Sequence, residues 1–144
     1  MHKIFGIKEN RQYIDREGAH LIPIQNERVG VVQTPKGYFF LGGGLAAGEN
    51  HVDCIARECM EEAGYLCAVN GRLCSAESYT YLSSVGWFHP IQTYYVGNLL
   101  EKVAIAIETD HNFSWVEYGL LRGNMYLEMQ NWALEQAWIH MQNL

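Results

Sequence analysis

No window of the 144 residues is apolar for the length that a membrane helix needs, and the N-terminus, MHKIFGIKEN, has no long hydrophobic run. Neither a spanning helix nor a signal peptide is expected. Basic residues are scarce: 10 Lys and Arg stand against 16 Asp and Glu, a formal net charge of -6 at pH 7. That balance argues against a broad surface for a nucleic-acid polymer or an acidic membrane. The four cysteines, Cys54, Cys59, Cys67 and Cys74, contain no Cys-x-x-Cys pair and make no cluster with histidine at zinc spacing. They read as reduced thiols in a cytoplasmic protein. No repeat, low-complexity segment or linker divides the chain. What is left, 49% hydrophobic and 18% charged, is the composition of a globular protein, read as one domain over 1–144 with enough length to bury a core.

The most informative stretch runs from Gly43 to Tyr65, GGLAAGENHVDCIARECMEEAGY. Asn50 has the character of an N-cap, Asp53 puts an acid where the helix dipole favours one, and Gly64 suits the left-handed position past a helix end. On a wheel of about 100° per residue, Val52, Ile55, Ala56, Cys59 and Ala63 share one arc, the face expected to be buried. Glu58, Glu61 and Glu62 fall beside that arc at i, i+3 and i+4, where side chains are neighbours. Carboxylates so placed repel one another unless a cation neutralises them, and hard cations such as Mg²⁺ take oxygen ligands of this kind. A solvated acidic face is the plainer reading of the helix alone. Two flanking features weigh against it. Gly42-Gly43-Gly44 reads as a glycine turn that lets backbone approach a phosphate or metal, and Arg57 stands where its guanidinium can orient a glutamate.

The pattern Gly43-x5-Glu49-x7-Arg57-Glu58-Cys59-x-Glu61-Glu62-x-Gly64-Tyr65 resembles the Nudix box of MutT-like hydrolases. Every charged and glycine position is filled, and Cys59 and Tyr65 stand where an aliphatic residue is usual. The resemblance implies an α+β fold, a Nudix-type α/β/α sandwich around a central mixed β-sheet. It also implies Mg²⁺-dependent hydrolysis of a nucleoside diphosphate linked to another moiety, with Mn²⁺ as the substitute ion. Carried over to this chain, Glu58, Glu61 and Glu62 hold the metal, with the Gly43 carbonyl as a further ligand. Glu49 pairs with Arg57, and the base is one of the glutamates or an acid outside the box. Three departures stand out: Leu41 where relatives have proline, Ala46 and Ala47 where a glutamate is frequent, and Asp110-His111-Asn112 where several relatives have Asp-His-Glu. If that missing glutamate serves in those relatives, Glu108 or Asp110 has to replace it. The competing expectation is a Nudix-fold module that senses a nucleotide without cleaving it. Such modules commonly lose box glutamates, which this chain keeps.

Around the box the chain reads mostly as strands: residues 3–8, Ala19 to Ile24, a hairpin through Asn26-Glu27-Arg28 to Val29–Val32, a turn at Thr34-Pro35-Lys36-Gly37, then Tyr38 to Leu41. After the helix, Tyr65 to Val69 leads to Asn70-Gly71, read as a hairpin turn. Phe88 to Val96 is a long strand in which Pro90 marks an edge or bulge. Phe113 to Glu117 resembles a tryptophan-bearing strand of the family. Asn124 to Asn143 reads as a helix with a wide apolar stripe, which packs on the sheet or, through its tryptophans, forms a homodimer surface. Tyr81, about sixteen residues past the box, matches a tyrosine of dinucleoside polyphosphate hydrolases, and no proline precedes Pro90 at the distance typical of ADP-ribose hydrolases. The substrate class favoured is therefore nucleoside triphosphates or dinucleoside polyphosphates. His51 stands near enough to touch a phosphate, and His89 and His111 to line the pocket; an ordinary hydrogen-bonded role is the plainer reading of each.

Overall fold

The computed structural model describes residues 1–107 and 110–144. The elements run β1 (His2–Phe5), β2 (Ile14–Gln25), β3 (Arg28–Thr34), β4 (Gly37–Phe39), β5 (Leu41–Gly44), α1 (His51–Ala63), β6 (Tyr65–Ser78), β7 (Thr80–Leu82), β8 (Gly86–Lys102), β9 (Asn112–Glu117), α2 (Tyr118–Leu121) and α3 (Glu128–Gln142). The sheet order is β1-β6-β8-β2-β3-β4, with β5 also on β2, β7 on β8 and β9 on β3. It is mixed: β2 pairs parallel with β8 over Ile14–Pro23, and β6 pairs antiparallel with β8.

Strand alternation divides the core. Ala19 and Leu21 of β2 join Ile55, Cys59 and Ala63 of α1 in one apolar cluster. Ile22 of β2 joins Tyr94, Leu134 and Ala137 in the other, under α3. Successive side chains of a strand point to opposite faces, so one strand serves both helices and the expected α/β/α sandwich follows. The β2–β3 hairpin turns at Asn26 and Glu27, both at positive φ (53° and 62°), as a two-residue turn matching strand twist requires.

Several expectations are corrected. Gly42-Gly43-Gly44 is not a turn but most of β5, paired with His20, Ala19 and Gly18. Gly42 has φ +145°, and a Cβ there would collide with the Ala19 carbonyl oxygen, so glycine is what lets β5 lie on β2. Asn70-Gly71 does not reverse the chain. It lies inside the single strand β6, where the register with β8 slips between Val69 and Gly71, a bulge rather than a hairpin. Pro90 is not at an edge. It pairs with Arg16 in the middle of β8, where the other neighbour changes from β6 (Glu77 opposite Ile91) to β7 (Thr80 opposite Phe88). The last helix begins at Glu128 rather than Asn124 because residues 124–127 are tied down outside it, with Met125 in a bridge to Tyr38 and Leu127 extended. Met125 N–H donates to Asn131 Oδ1 (2.8 Å) and Asn131 Nδ2 donates to the Met125 carbonyl (3.2 Å). Trp132 and Trp138 pack against the core, Trp138 stacked on Tyr118 with centroids 3.9 Å apart, so α3 turns its apolar stripe to the sheet. Among the described residues, no helix is long and apolar enough to cross a membrane.

Candidate active site

Helix α1 is set by its caps. Asp53 N–H donates to Asn50 Oδ1 (2.8 Å), and Gly64, at φ +73°, returns its N–H to the Met60 carbonyl. Its buried face is rotated from the arc expected: Cys54, Ile55, Cys59, Glu62 and Ala63 are buried, while Val52 and Ala56 are exposed. The reason is polar. Glu62 is drawn in because its Oε1 accepts the Gly42 N–H at 2.9 Å, tying the helix to β5. A buried carboxylate persists only with such partners.

The rotation aims the acidic edge at the end of β5. Arg57 organises it. Its Nε and Nη2 donate to the two Glu49 oxygens at 2.6 and 3.0 Å, and Nη2 also reaches the Gly44 carbonyl at 3.2 Å. Its Nη1 donates to Glu58 Oε1 at 2.5 Å and to Glu61 Oε2 at 3.2 Å. The hydrogen bonds from Arg57, then the Ala46 N–H, hold the Glu49 carboxyl down at about 2, below the usual carboxylate range. Arg57 is pushed the other way, chiefly by its bonds to Glu49. Glu49 thus fixes one edge of the guanidinium and leaves the other for Glu58 and Glu61.

Gly43 lies against the same carboxylates: a Cβ there would stand 2.9 Å from Glu58 Oε2. Its carbonyl accepts the Cys54 thiol at 3.4 Å. The residues named from sequence, Gly43, Glu49, Arg57, Glu58, Glu61 and Glu62, are thus assembled on one edge of α1 facing β5. Among the described residues, no three His, Cys, Asp or Glu side chains already converge at coordination distance. The donor set nevertheless fits a hard divalent cation. It is made of oxygen, and one positively charged nitrogen already holds two of the carboxylates together, so a cation at that point is electrostatically welcome.

Beside this edge opens a cleft of about 480 Å³ whose lining includes Gly42, Gly43, Glu62, His20, Phe39 and Gln130. Asp110 and His111 also line it, with His111 Nδ1 3.1 Å from Glu62 Oε2. Glu108 lies outside the described residues. Asn112 opens β9, paired with Gln33. His51 is occupied elsewhere, with Nδ1 on the Tyr95 hydroxyl and Nε2 on Glu17, each at 2.8 Å. His89 does not line the cleft; it lies between Asp15 and Glu77, stacked on Tyr79. Tyr81 is 58% exposed on β7, edge-on to Trp87, and does not line the cleft either.

Sequence reasoning missed His20, Gln92 and Gln130. His20 is buried with no partner for Nδ1 among the described residues, and burial lowers its pKa from 6.5 to about 4, keeping the ring neutral. Gln130 is completely buried. The available signal was a polar residue inside an apolar pattern: His20 between Ala19 and Leu21, and Gln130 in the stripe of α3.

The family model that matches the chain is the NUDIX domain, over residues 15–135. No curated protein matches the chain by sequence. Among solved structures, a NUDIX hydrolase from Nitrosomonas europaea is similar at 16% identity and TM-score 0.70, covering 86% of this chain and 90% of that one. A MutT NUDIX hydrolase from Burkholderia pseudomallei is similar at 17% identity and TM-score 0.69, covering 85% of this chain and 98% of that one. A UDP-X diphosphatase is similar at 15% identity and TM-score 0.68, covering 93% of this chain and 66% of that one. At these identities the three show a shared fold.

Proposed function

The chain belongs to the NUDIX domain family, and on that basis we propose that it is a pyrophosphohydrolase that cleaves, with Mg²⁺, a nucleoside diphosphate linked to another moiety. Nucleoside triphosphates and dinucleoside polyphosphates are the substrates favoured, and residues 1–144 act as one domain. One observation carries the reading: Glu58 and Glu61 meet on a single nitrogen of Arg57, with the next residue, Glu62, in the wall of a nucleoside-sized cleft.

Glu58, Glu61 and Glu62, with the Gly43 carbonyl, are the groups that would hold the ion. Mg²⁺, or Mn²⁺ in its place, supplies neutralisation of the diphosphate charge and activation of a water nucleophile. The chain's own work is positioning. Glu49 holds Arg57, Arg57 aligns Glu58 and Glu61, and the Gly42 N–H holds Glu62. A carboxylate of this group, or Asp110 in the cleft wall, takes the proton released by the attacking water. The free thiols suit a reducing, cytoplasmic setting.

The test is phosphate or pyrophosphate release from a nucleotide panel with Mg²⁺, by wild type and by Glu61→Gln. Turnover by the wild type, lost roughly a hundredfold or more in the variant with an unchanged circular dichroism spectrum, is expected. Wild-type rates in Glu61→Gln would remove that residue from the mechanism. Tight nucleotide binding without release from any substrate would leave a sensor module instead.

A further inference from the structure

A backbone N–H is always a donor, and that settles the orientation of two amides in the cleft. Phe40 N–H donates to one atom of the Gln130 side chain at 3.0 Å, so that atom is Oε1. The other end of Gln130 is then its NH₂, and it donates to Gln92 at 3.1 Å, so the atom it meets is Gln92 Oε1. The Tyr94 hydroxyl donates to the same oxygen at 2.6 Å. Both bonds fall on Oε1, and among the described residues none engages the Gln92 NH₂, which is the end of that side chain left for a ligand. It is a donor that cannot flip without breaking the chain of bonds back to the Phe40 backbone.

His20 supplies the second polar group. In the parallel β2–β8 register His20 lies opposite Tyr94 and Gly18 opposite Gln92. Residues two apart on a strand share a face, so Gln92 is the diagonal neighbour of His20, and Gly18 puts no side chain between them. Both line the cleft, and His20 Nδ1 is buried without a partner among the described residues. An orphaned buried nitrogen costs free energy unless a ligand satisfies it. The ring is neutral, so one of its nitrogens is an acceptor. Phe39 and Leu127 give the cleft apolar walls, Glu62 and Asp110 also line it, and among the described residues its one lining Lys or Arg, Lys36, is exposed, which disfavours an anionic group there. A group that meets both polar atoms between these walls is therefore planar and equipped with a hydrogen-bonding edge.

We propose that this cleft reads the lactam edge of a nucleobase, with the Gln92 NH₂ donating to the ring carbonyl oxygen and His20 Nδ1 accepting the adjacent ring N–H. Guanine, hypoxanthine and uracil present that edge. Adenine and cytosine present an amino group and a bare ring nitrogen there, and the amino group meets the Gln92 NH₂ donor to donor. The inference rests on the nucleotide reading above and narrows it to keto bases.

The test has two arms on the intact protein. Affinities for GMP, IMP and UMP against AMP and CMP are measured calorimetrically in EDTA, and kcat/KM for the corresponding triphosphates is measured with Mg²⁺. Each keto base is expected to exceed its amino counterpart by roughly tenfold or more in at least one arm. Gln92→Glu, which turns the donor into an acceptor, is expected to abolish or reverse that ratio. His20→Phe, which keeps a ring but no acceptor, is expected to reduce it. Should the glutamate unfold the protein, Gln92→Met is measured in its place and is expected to erase the ratio. No preference in either arm, a preference for amino bases, or an unchanged ratio in both the Gln92 and His20 variants would overturn the inference. Keto preference in binding with no turnover of any nucleotide would instead overturn the hydrolase reading and leave this one standing.

Discussion

His20 and Glu62 are polar residues held inside the protein by opposite means. Glu62 has the Gly42 N–H; His20 Nδ1 has no partner among the described residues. The cost of burying His20 shows in its titration. Its folded pKa, about 4, lies below its ordinary 6.5, so below pH 6.5 the unfolded chain binds the extra proton and the folded chain resists it. The stability concerned is complete above pH 6.5 and is lost as the pH falls towards 4, by about 3 kcal/mol at the end of that window. Unfolding free energies from urea titrations are expected to fall between pH 7.5 and pH 4 by that much less in His20→Gln than in wild type. At Gly43 the expectation is the reverse, a loss of function with little loss of stability. Gly43→Ala sets a methyl 2.9 Å from Glu58 Oε2, so the carboxylate has to move; kcat is expected to drop roughly tenfold or more with a melting temperature close to wild type.

Helix α1 shows how an element is specified and then turned. Its ends were legible because capping is local: Asn50 and Gly64 act on backbone a few residues away. Asn50→Ala is expected to cost about 1 kcal/mol, read as a lowered urea midpoint, with the active-site ion pairs intact. Its orientation was not legible. A wheel weighs side chains by hydropathy and puts Val52 and Ala56 inside, whereas the N–H of Gly42 on β5 draws Glu62 in and turns Val52 out. The same limit explains β6. Asn70-Gly71 is a strong local turn signal, but pairing along β8 on both sides of it outweighs the turn, and the pair becomes a bulge.

For the whole molecule, one sheet carries two helices on opposite faces, and α1 and β5 meet at the carboxylates while the cleft reaches Gln130 on α3. A ligand bound there bridges elements that are far apart in the chain, so binding and global stability are linked. With Mg²⁺ and a non-hydrolysable nucleotide analogue at about a hundred times Kd, stabilisation of about 2.7 kcal/mol is expected, seen as a rise of several degrees in melting temperature. EDTA is expected to reverse the part that depends on the ion. An unchanged melting temperature across the whole concentration range of the analogue would show that the folded protein does not bind it.

The amino-acid order by itself determined which residues form the acidic edge. Gly43, Glu49, Arg57, Glu58, Glu61 and Glu62 lie within one short stretch, and helical periodicity brings its glutamates together whatever the remainder of the fold does. It also determined the ends of α1 and the β2–β3 turn, which depend on neighbours along the chain. Tertiary structure decided the rest: that three glycines serve as a strand, that Glu62 is buried, and that His20, Gln92 and Gln130 share one cleft. Those outcomes come from strand pairing and backbone donors supplied by distant residues, and no local pattern records which backbone N–H a side chain will meet.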